Sequence, residues 1–584
     1  MIRSTFSGLS TALTAIQANQ KRLDIIGQNL ANMNTVGYTR QQLETSSLNY
    51  SGPVGHYMNG SATVVGFGVS MNKVSQIRDP YLDVQYRAQM SKASYTDSMQ
   101  TSLDSLADIL DESSISGISD TLNEIQSVLT SGMQDPAKVN DPVYESELRS
   151  RMQALTNLLN DSARQIDTAQ KNEFDRLNGE GTSEQGAVQR VNEILRQVGD
   201  LNIQIKQNQI LGQQSLELMD ERNVLLDELA GYLPIEVSYY KDAEHSGTYD
   251  YPITDADGRP VIDGNGNPVT EKRDRMYEYD SKGKVIGRRD WPDDLKVTLN
   301  YTDKNGASKQ LTLVEGTEGG KGNNYGSLEL TGGSREKPLL AAVTITAAAS
   351  AGGSSTVVSA SESQLRDGSI QASLDMLGKI GTGELIAGTA TLDDVRGYQF
   401  YMKKLDALAQ TFAGIINDIN QKGVQGVQGS PPVNATPYLL LANKTTDTGD
   451  GITAANIGIS TDWINGNAHV GMLGDSPTDT VLNMLEAMSK AHAGLGNKSF
   501  ASYMNNTSTI LANDSRANQN ILKTNVTVLN SIQDYKDSVS GISMDEEASN
   551  MMAYMSAYNA ASRLMTAMDE ALNTLINNTG LVGR

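Results

Sequence analysis

One acidic stretch of this sequence, DGNGNPVTEKRD at 263–274, has residues of a type and spacing that could bind a metal ion. The oxygen-bearing side chains that are spaced like calcium ligands are those of Asp263, Asn265, Asn267, Glu271 and Asp274. Pro268 stands where a calcium-binding loop needs its sharp-turn glycine, and an aspartate replaces the closing glutamate. Asn-Gly and Asp-Gly pairs are typical of tight hairpin turns. We therefore predict a hairpin here rather than a calcium site.

Other patterns for catalysis or cofactor binding are weak. The chain has no cysteine, which excludes disulfides, thiolate metal sites and cysteine nucleophiles. Its histidines are scattered singly, at His56, His245, His469 and His492. The glycine-rich stretch at 316–324 lacks the GK[ST] ending of a phosphate-binding loop, so we interpret it as a flexible connection. We predict no catalytic, cofactor-binding or metal site.

Carboxylates cluster in the stretch LMDERNVLLDELAGYL at 218–233. Its leucines recur at helical intervals, which puts the acidic side chains largely on other faces of the helix. These acidic residues are Asp220, Glu221, Asp227 and Glu228. We interpret them as a solvated helix face rather than as paired catalytic acids.

Length and charge exclude several classes of partner. The 584 residues are enough for several domains with a sizeable core. The formal net charge of -22 disfavours nucleic acids and anionic membranes as partners. No apolar run approaches the roughly 20 residues that cross a bilayer, and the first residues lack the apolar core of a cleaved signal peptide. We expect no membrane insertion and no signal-peptide export.

The first helix is predicted from apolar residues at alternating steps of four and three. They form one narrow stripe, which consists of Ile2, Phe6, Leu9, Leu13, Ile16, Leu23 and Leu30. An isolated helix gains little stability in water, and few charges flank this stripe. The helix therefore needs a partner helix.

The last helix is the candidate partner. Ser543 followed by three carboxylates at 545–547 is typical of a helix start, and Gly541 before it marks a joint. Two adjacent apolar stripes follow. One consists of Met551, Met555, Tyr558, Met565 and Leu572, and the other of Ala561, Leu564, Met568, Ala571 and Leu575. The methionines are either core filler or an adaptable face for binding another protein.

The chain between its ends changes character in the middle. Helical periodicity predicts helices at 80–111, 120–131, 143–178, 186–210, 218–231, 398–422 and 505–540. From 234 to 368 this period disappears, and short β-type runs alternate with turn signals. A second irregular stretch at 429–463 suggests a small hairpin or loop.

We therefore predict an elongated α+β multidomain fold, with helix-rich terminal halves that pair as a coiled-coil-like bundle and an inserted central β domain. The predicted units are a terminal helix and arm at 1–45, a helical rod domain at 46–233, the β domain at 234–368, the second half of the rod domain at 369–540 with an excursion at 429–480, and a terminal helix at 541–584 that pairs with the first unit.

The stretch GQNLANMNTVGYTR at 27–40 predicts the end of the first helix. Asparagine amides, such as those of Asn29, Asn32 and Asn34, can bond carbonyls left free at a helix end. Gly37 can adopt the positive φ that stops a helix, so that 38–42 continue as extended chain.

This stretch also carries a family resemblance. LANMNTVGYTRQ at 30–41 is similar to the N-terminal motif of flagellar axial proteins, and its GYTRQ ending resembles the hook-associated protein 1 family most. Further matching segments are LMDERNVLLDELAGYLPIEVSYY, GITAANIGIS and the closing segment from Ser540. The resemblance covers the two helical flanks and leaves the central β insertion unmatched.

The resemblance implies a structural, non-enzymatic role in the junction between the flagellar hook and filament. It implies assembly through both terminal helices into a ring of copies, contacts with the hook protein and with hook-associated protein 3, and an export chaperone at the C-terminal region. It also implies an extracellular location, reached uncleaved through the flagellar type III apparatus. The alternatives are a hook or distal rod protein and, in a different class, an enzyme carried on an axial scaffold.

The implied assembly interface comprises both apolar stripes and the turn after the first helix. Its candidate residues are Ile2, Phe6, Leu9, Leu13, Ile16, Leu23, Leu30, Asn32, Asn34, Gly37, Tyr38, Arg40, Met551, Met555, Tyr558, Met565, Met568, Leu572 and Leu575.

Overall fold

Twelve helices make up most of the part of the chain that the structure describes. The computed structural model describes residues 5–48, 68–110, 117–179, 185–241, 247–254, 259–263, 266–275, 277–280, 283–288, 293–316, 323–381, 395–422, 439–471 and 477–577. The helices are α1 Thr5–Asn32, α2 Pro80–Leu110, α3 Ile118–Gln134, α4 Pro142–Asn178, α5 Ala187–Ile210, α6 Leu216–Tyr232, α7 Ser369–Gly378, α8 Tyr398–Lys422, α9 Thr461–Asn465, α10 Pro477–Ser489, α11 Phe500–Ser540 and α12 Met544–Asn577.

Local signals explain where several helices begin and end. The Asp141 side chain accepts a hydrogen bond from the Val143 amide and caps α4, whose first residue is a proline. Gly179 ends the same helix with a φ of 76°. The helices predicted from periodicity all exist, with bounds that shift by a few residues.

Fifteen short strands complete the described architecture. They are β1 Gln41–Ser47, β2 Val69–Gln76, β3 Ile235–Tyr240, β4 Thr248–Pro252, β5 Thr270–Asp274, β6 Tyr277–Tyr279, β7 Val285–Arg288, β8 Asp294–Thr302, β9 Ser308–Glu315, β10 Ser327–Thr331, β11 Ala342–Thr346, β12 Ser355–Ser359, β13 Gln364–Leu365, β14 Leu441–Asn443 and β15 Ile457–Ile459. Eleven of them fall between 234 and 368, and the predicted α+β class is confirmed.

All strand pairs in these sheets are antiparallel. β8 pairs with β3, β9 and β13 in a four-stranded sheet, and β10, β11 and β12 form a second sheet in that order. The other sheets are the hairpins β1–β2, β4–β5, β6–β7 and β14–β15. The hairpin β14–β15 lies in the irregular stretch at 429–463, of which 429–438 falls outside the described residues.

The acidic stretch at 263–274 contains a tight turn. The Gly266 amide bonds the Asp263 carbonyl at 3.1 Å, and Gly266 has a φ of 87°. An isolated bridge pairs Ile262 with Pro268 across this turn. Asn265 lies outside the described residues. The predicted hairpin turn is confirmed.

The β strands and the body helices share one continuous core. Its fully buried residues include Trp463, Tyr401 and Phe412 among the helices and Val297 and Leu313 in the four-stranded sheet. Within the described residues this core begins at Tyr95 and ends at Leu511. Residues 5–48 and 512–577 therefore lie outside it.

The long helix α11 joins the core to the second terminal helix. It packs antiparallel against α2, where Asn518 donates to the Thr96 carbonyl at 2.9 Å and Gln89 donates to the Asn525 carbonyl at 3.0 Å. After Ser540 the chain turns at Gly541 and enters α12, which begins next to Ser543 as predicted.

Candidate assembly interface

The first and last helices, α1 and α12, lie side by side and antiparallel. A Cβ atom added to Gly8, early in α1, would lie 2.3 Å from the methyl group of Met568, late in α12. Arg22, later in α1, places its guanidinium 5.1 Å from the ring centre of Tyr554, earlier in α12. The missing side chain at Gly8 lets the helices approach closely, and the predicted pairing of the terminal helices is confirmed.

The seam on α1 lies to one side of the predicted apolar stripe. Its buried residues are Ala12, Ala18, Asn19, Ile25, Ile26 and Asn29. The last helix α12 and the β1–β2 hairpin cover adjacent sides of α1, and the small side chains of Ala12 and Ala18 are buried there. The predicted stripe flanks the seam: Leu9, Ile16, Leu23 and Leu30 are half-buried, and Leu13 is 46% exposed. Ile2 and the side chain of Phe6 lie outside the described residues.

The covered edge of α12 follows a heptad spacing. Its buried or half-buried residues at this spacing are Glu547, Met551, Tyr554, Tyr558, Ala561, Met565, Met568 and Leu572. Two predicted interface residues, Met555 and Leu575, lie away from this edge and are half exposed. Some of the predicted interface residues therefore pack against another helix of the same chain, whereas others remain on an exposed surface.

The open surface of the helix pair includes several large apolar side chains. On α12 the exposed fractions are 65% for Met552, 50% for Met555, 50% for Leu564 and 52% for Leu575. Large apolar side chains exposed along one element are typical of a surface that binds another protein. The helix pair is thus only partly covered by its own chain.

The turn that follows α1 is held by Asn29. This side chain is 1% exposed, and its amide donates to the Gln41 carbonyl at 3.0 Å. Its oxygen accepts from the Gln41 amide and from the Tyr38 hydroxyl, both at 3.1 Å. Burial, with a contribution from the Glu217 and Asp220 charges, raises the pKa of Tyr38 to about 12. The Tyr38 hydroxyl therefore remains a donor at neutral pH.

The helix end differs in one respect from the prediction. The Asn32 amide bonds the Gln28 carbonyl at 3.0 Å, and Gly37 has a φ of 81°, as predicted. However, α1 ends at Asn32, so Gly37 closes a following turn rather than the helix. A Cβ atom on Gly37 would lie 2.2 Å from Val224 Cγ2. Asn34 in the same turn is exposed.

The extended segment after Gly37 lies along α6. Gln41 donates to Glu217 at 3.4 Å, Thr39 donates twice to Asp220, and Gly37 contacts Val224. The two Thr39 bonds measure 3.1 Å from the backbone amide and 2.7 Å from the hydroxyl. Burial raises the pKa of Asp220, although the Thr39 bonds act in the opposite direction.

The prediction of a solvated acidic face on α6 is wrong for three of its four carboxylates. Asp220 is buried, Asp227 accepts from Arg87 at 2.7 Å and from Lys536 at 2.8 Å, and Glu228 accepts two bonds from Arg190. Only Glu221 among them is exposed. The cations that meet these carboxylates come from different elements: Asp227 meets α2 and α11, and Glu228 meets Arg190 of α5. The sequence contained one signal for this arrangement: Asp220 and Asp227 are seven residues apart, which places them on the same side of the helix.

Arg40 connects the terminal helices with the body. Its backbone amide donates to the Ser540 carbonyl at 3.0 Å, and its carbonyl accepts from the Ile77 amide at 2.8 Å. Its guanidinium contacts Glu546 and Glu547 at 2.7 Å each. Glu547 is 2% exposed, so this ion pair is largely buried. From the sequence we predicted Arg40 as an interface residue, but we related both glutamates only to the start of the last helix and its dipole.

The described residues contain neither a membrane-spanning helix nor a metal-binding cluster. None of their helices combines the length and the apolar character needed to cross a membrane. No three His, Asp or Glu side chains among them are grouped so that they could hold a metal ion.

Comparisons with known families match three parts of the chain. The flagellar hook-associated protein FlgK helical domain matches 103–282. The flagella basal body rod protein family matches 9–39, within α1 and its turn, and the flagellar basal body rod FlgEFG protein C-terminal family matches 537–578, which includes α12.

Individual relatives match over different lengths. Flagellar hook-associated protein 1 of Bacillus subtilis (strain 168) is 27% identical and covers 100% of both chains. Flagellar hook-associated protein 1 of Salmonella typhimurium is 24% identical over 44% of this chain and 42% of its own. The solved flagellar hook junction protein FlgK from Burkholderia pseudomallei has a TM-score of 0.38 and 16% identity, and the match covers 62% of this chain and 46% of that one.

Proposed function

The chain belongs to the flagellar hook-associated protein 1 family, and from this premise we propose that it is a structural subunit of the bacterial flagellum at the junction between hook and filament. The full-length match to the Bacillus subtilis relative supports this role. The matches of both terminal helices to flagellar rod families support an axial position for these helices.

The observation that carries the proposal is the open apolar surface of the α1–α12 pair. Burial of a large apolar side chain stabilises an assembly by about 1.5–3 kcal/mol. Leu13, Met552, Met555 and Leu564 are each 46% exposed or more in the single chain. Packing of this surface against other copies would supply the burial that the single chain lacks, and would offset the entropy lost when the ends are ordered.

The joint at Arg40 supports a defined geometry for this assembly. The segment from Gly37 to Gln41 is fixed on α6, and Arg40 bonds both sides of the break between α11 and α12. We propose that these contacts set the angle between the helix pair and the body, and that Asn32, Asn34, Gly37 and Tyr38 contribute through this turn.

The proposed partners are further copies of the chain in a ring, the hook protein and hook-associated protein 3. The methionine-rich helix α12 also suits an export chaperone, because methionine side chains adapt to different partners. We propose export in an uncleaved form through the flagellar type III apparatus, and an extracellular location in the flagellum. The β domain proposed at 234–368 would face outward, as part of a rod body proposed at 46–540.

Deletion with complementation tests the proposed function. Cells without the protein should build hooks but release filament subunits into the medium, and the intact gene should restore filaments. Leu13→Asp, on the open surface, should fail to restore them, whereas Leu13→Met, which keeps an apolar side chain at the same position, should succeed. Normal filaments in the deletion strain would contradict the junction role.

The same strains address the alternative functions. A hook or distal rod protein predicts that hooks are missing from the deletion strain. An enzyme displayed on an axial scaffold predicts that removal of 240–360 abolishes a hydrolase or protease activity of the purified protein. The matches to hook-associated protein 1 favour the junction role over a hook or rod protein, and membership of a structural flagellar family favours it over an enzyme.

A further inference from the structure

The long helix α11 carries an apolar stripe that its own chain leaves open. Val528, Tyr535 and Val539 are 41%, 67% and 40% exposed, and half-buried Ile532 lies between them. The four positions follow steps of four, three and four, which is the spacing of a helix-packing seam. We refer to these four residues as the ridge.

A cavity lies nearby, at the joint between the body and the terminal helices. It has a volume of about 570 Å³ and is lined by the turn after α1, by α2, by α6 and by the last turns of α11. Its apolar lining residues are Met33, Val36, Tyr86, Val224 and Ile542. Val36 is 89% exposed, the highest value among the large apolar side chains that the structure describes. We refer to this space as the joint cavity.

Two ion pairs already neutralise most of the charges that line the joint cavity: Lys536 contacts Asp227 at 2.8 Å, and Arg78 pairs with Asp83. Asp537 keeps its negative charge and accepts a hydrogen bond from the neutral Gln533 amide at 2.8 Å. An anionic group entering the cavity would therefore meet Asp537 or have to break an ion pair. An aromatic ring with a hydroxyl fits better, because its apolar body suits the lining and its tip can bond a polar wall residue.

The ridge and the joint cavity lie on different sides of α11. Gln533, Lys536, Asp537 and Ser540 line the cavity. At 3.6 residues per turn, Tyr535 projects between about 100° and 160° away from them around the helix axis. Tyr535 of one chain therefore points away from its own cavity.

We infer that the ridge of one copy, led by Tyr535, docks in the joint cavity of the adjacent copy. This inference rests on the proposed function. A contact between two different patches of the same chain is heterologous, and such contacts generate rings when the rotation between neighbouring copies closes. The second copy is the favoured occupant because the cavity walls include Met33 and Ser540–Ile542, which adjoin the ends of α1 and α12. The contact would continue the proposed interface of the terminal helices into the body.

Disulfide cross-linking tests the contact directly, since the natural chain has no cysteine. Val36→Cys and Tyr535→Cys in one chain introduce only two thiols. In flagella isolated from the complemented deletion strain, mild oxidation should link copies into dimers and higher multiples on a non-reducing gel. The matched control combines Tyr535→Cys with Val143→Cys, a position at the start of α4 with 72% exposure, and should give no such ladder.

The outcomes separate this inference from the proposed function. Two results would overturn the ridge–cavity contact and leave the junction role intact. One is that the cells keep their filaments but the gel shows no cross-linked multimers, and the other is that the control pair gives the same multimers. A dimer from Tyr535→Cys alone would show a symmetric contact and would also overturn it. Filaments retained in the deletion strain would instead refute the junction role.

A second pair of variants avoids cysteine. Tyr535→Glu places a charge on the ridge, whereas Tyr81→Glu changes a tyrosine of nearly equal exposure on α2, 68% against 67%. We expect Tyr535→Glu to increase filament protein in the medium several-fold, and Tyr81→Glu to match the unmodified protein. Equal release from both variants would contradict the inference. Both side chains are exposed, so neither change disturbs the core.

Discussion

At Gly37 the backbone has a φ of 81°, and there is no room for a side chain. A β-branched residue here would be strained by roughly 1–3 kcal/mol and would also meet Val224. The position lies in the joint rather than in the core. We therefore expect Gly37→Val to impair assembly more than it impairs folding of the chain.

Two measurements check the Gly37→Val prediction: filament retention in the complemented strain and thermal unfolding of the purified protein. Adding Val224→Ala removes the clash but not the backbone strain, so the double variant should recover part of the lost retention. An equal loss of retention and of folding stability would show that Gly37 acts only on the local fold.

Arg40 offers a matched comparison between two glutamates. Both contact its guanidinium at 2.7 Å, but Glu546 is 56% exposed and Glu547 is 2% exposed. An exposed ion pair contributes about 0–1 kcal/mol, whereas a hydrogen bond to a charged group contributes about 1.5–3 kcal/mol, and Glu547→Gln removes that charge from the buried pair. Glu547→Gln should therefore loosen the start of α12 more than Glu546→Gln. Amide hydrogen exchange of residues 544–558 measures this difference, and equal effects of the two variants would contradict it.

The sequence predicted the residues of the joint only in part. Gly37 and Asn32 have local signatures, and they have the predicted conformation and bond, whereas the Asn29 amide bonds the Gln41 carbonyl instead of a carbonyl at the helix end. Asp220, by contrast, meets Thr39 across a separation of 181 residues. A side chain whose partner is that distant carries no local pattern, so its buried role could not be derived from spacing along one helix.

At the scale of elements, the terminal helices differ from the rest of the chain. In α4, Leu148, Met152 and Leu155 are at most 1% exposed, whereas α12 buries only Glu547 and Ala561. A helix with so little burial depends on its partner for stability.

We therefore expect weak amide protection of 5–30 in the dilute monomer, with 148–155 as an internal reference. Protection of 5–30 should increase after assembly, because the open apolar surface becomes covered. Hydrogen exchange read by mass spectrometry measures both states. Strong protection of 5–30 in the monomer would contradict the expectation of mobile ends.

The long helices were predictable because their apolar period is a local property, and their bounds were correct to within a few residues, whereas the shorter helices α7, α9 and α10 were not predicted. The sheet arrangement was not. β8 lies between β3 and β9 and also pairs with β13, some 60 residues later, and nothing in the alternation of β8 specifies these neighbours. The seam of α1 was misplaced for a related reason, since alanines such as Ala12 carry little weight in an apolar count.

At the scale of the whole molecule, the two ends of the chain meet in one structure while the middle forms the body. Gly8 and Met568 come together although the entire core, from Tyr95 to Leu511, lies between them in sequence. The proposed assembly surface is thus formed by the two ends of the sequence, and the strand-rich segment lies in the middle of the sequence. This order is what the sequence predicted, because the two apolar stripes and the central loss of period are visible without a structure.

The helices α11 and α12, of 41 and 34 residues, extend over roughly 60 Å and 50 Å. The two helices are consecutive in the chain, and a short non-helical segment separates them between Ser540 and Met544. Arg40 spans that segment, because its amide holds the Ser540 carbonyl while its guanidinium holds Glu546 and Glu547. Arg40 therefore opposes bending at Gly541, because a bend there must break either its bond to Ser540 or its contacts with the two glutamates. The resistance of this joint to bending therefore depends in part on ion pairs. Added salt should weaken mainly the contribution of the exposed Glu546, because the buried Glu547 is screened much less.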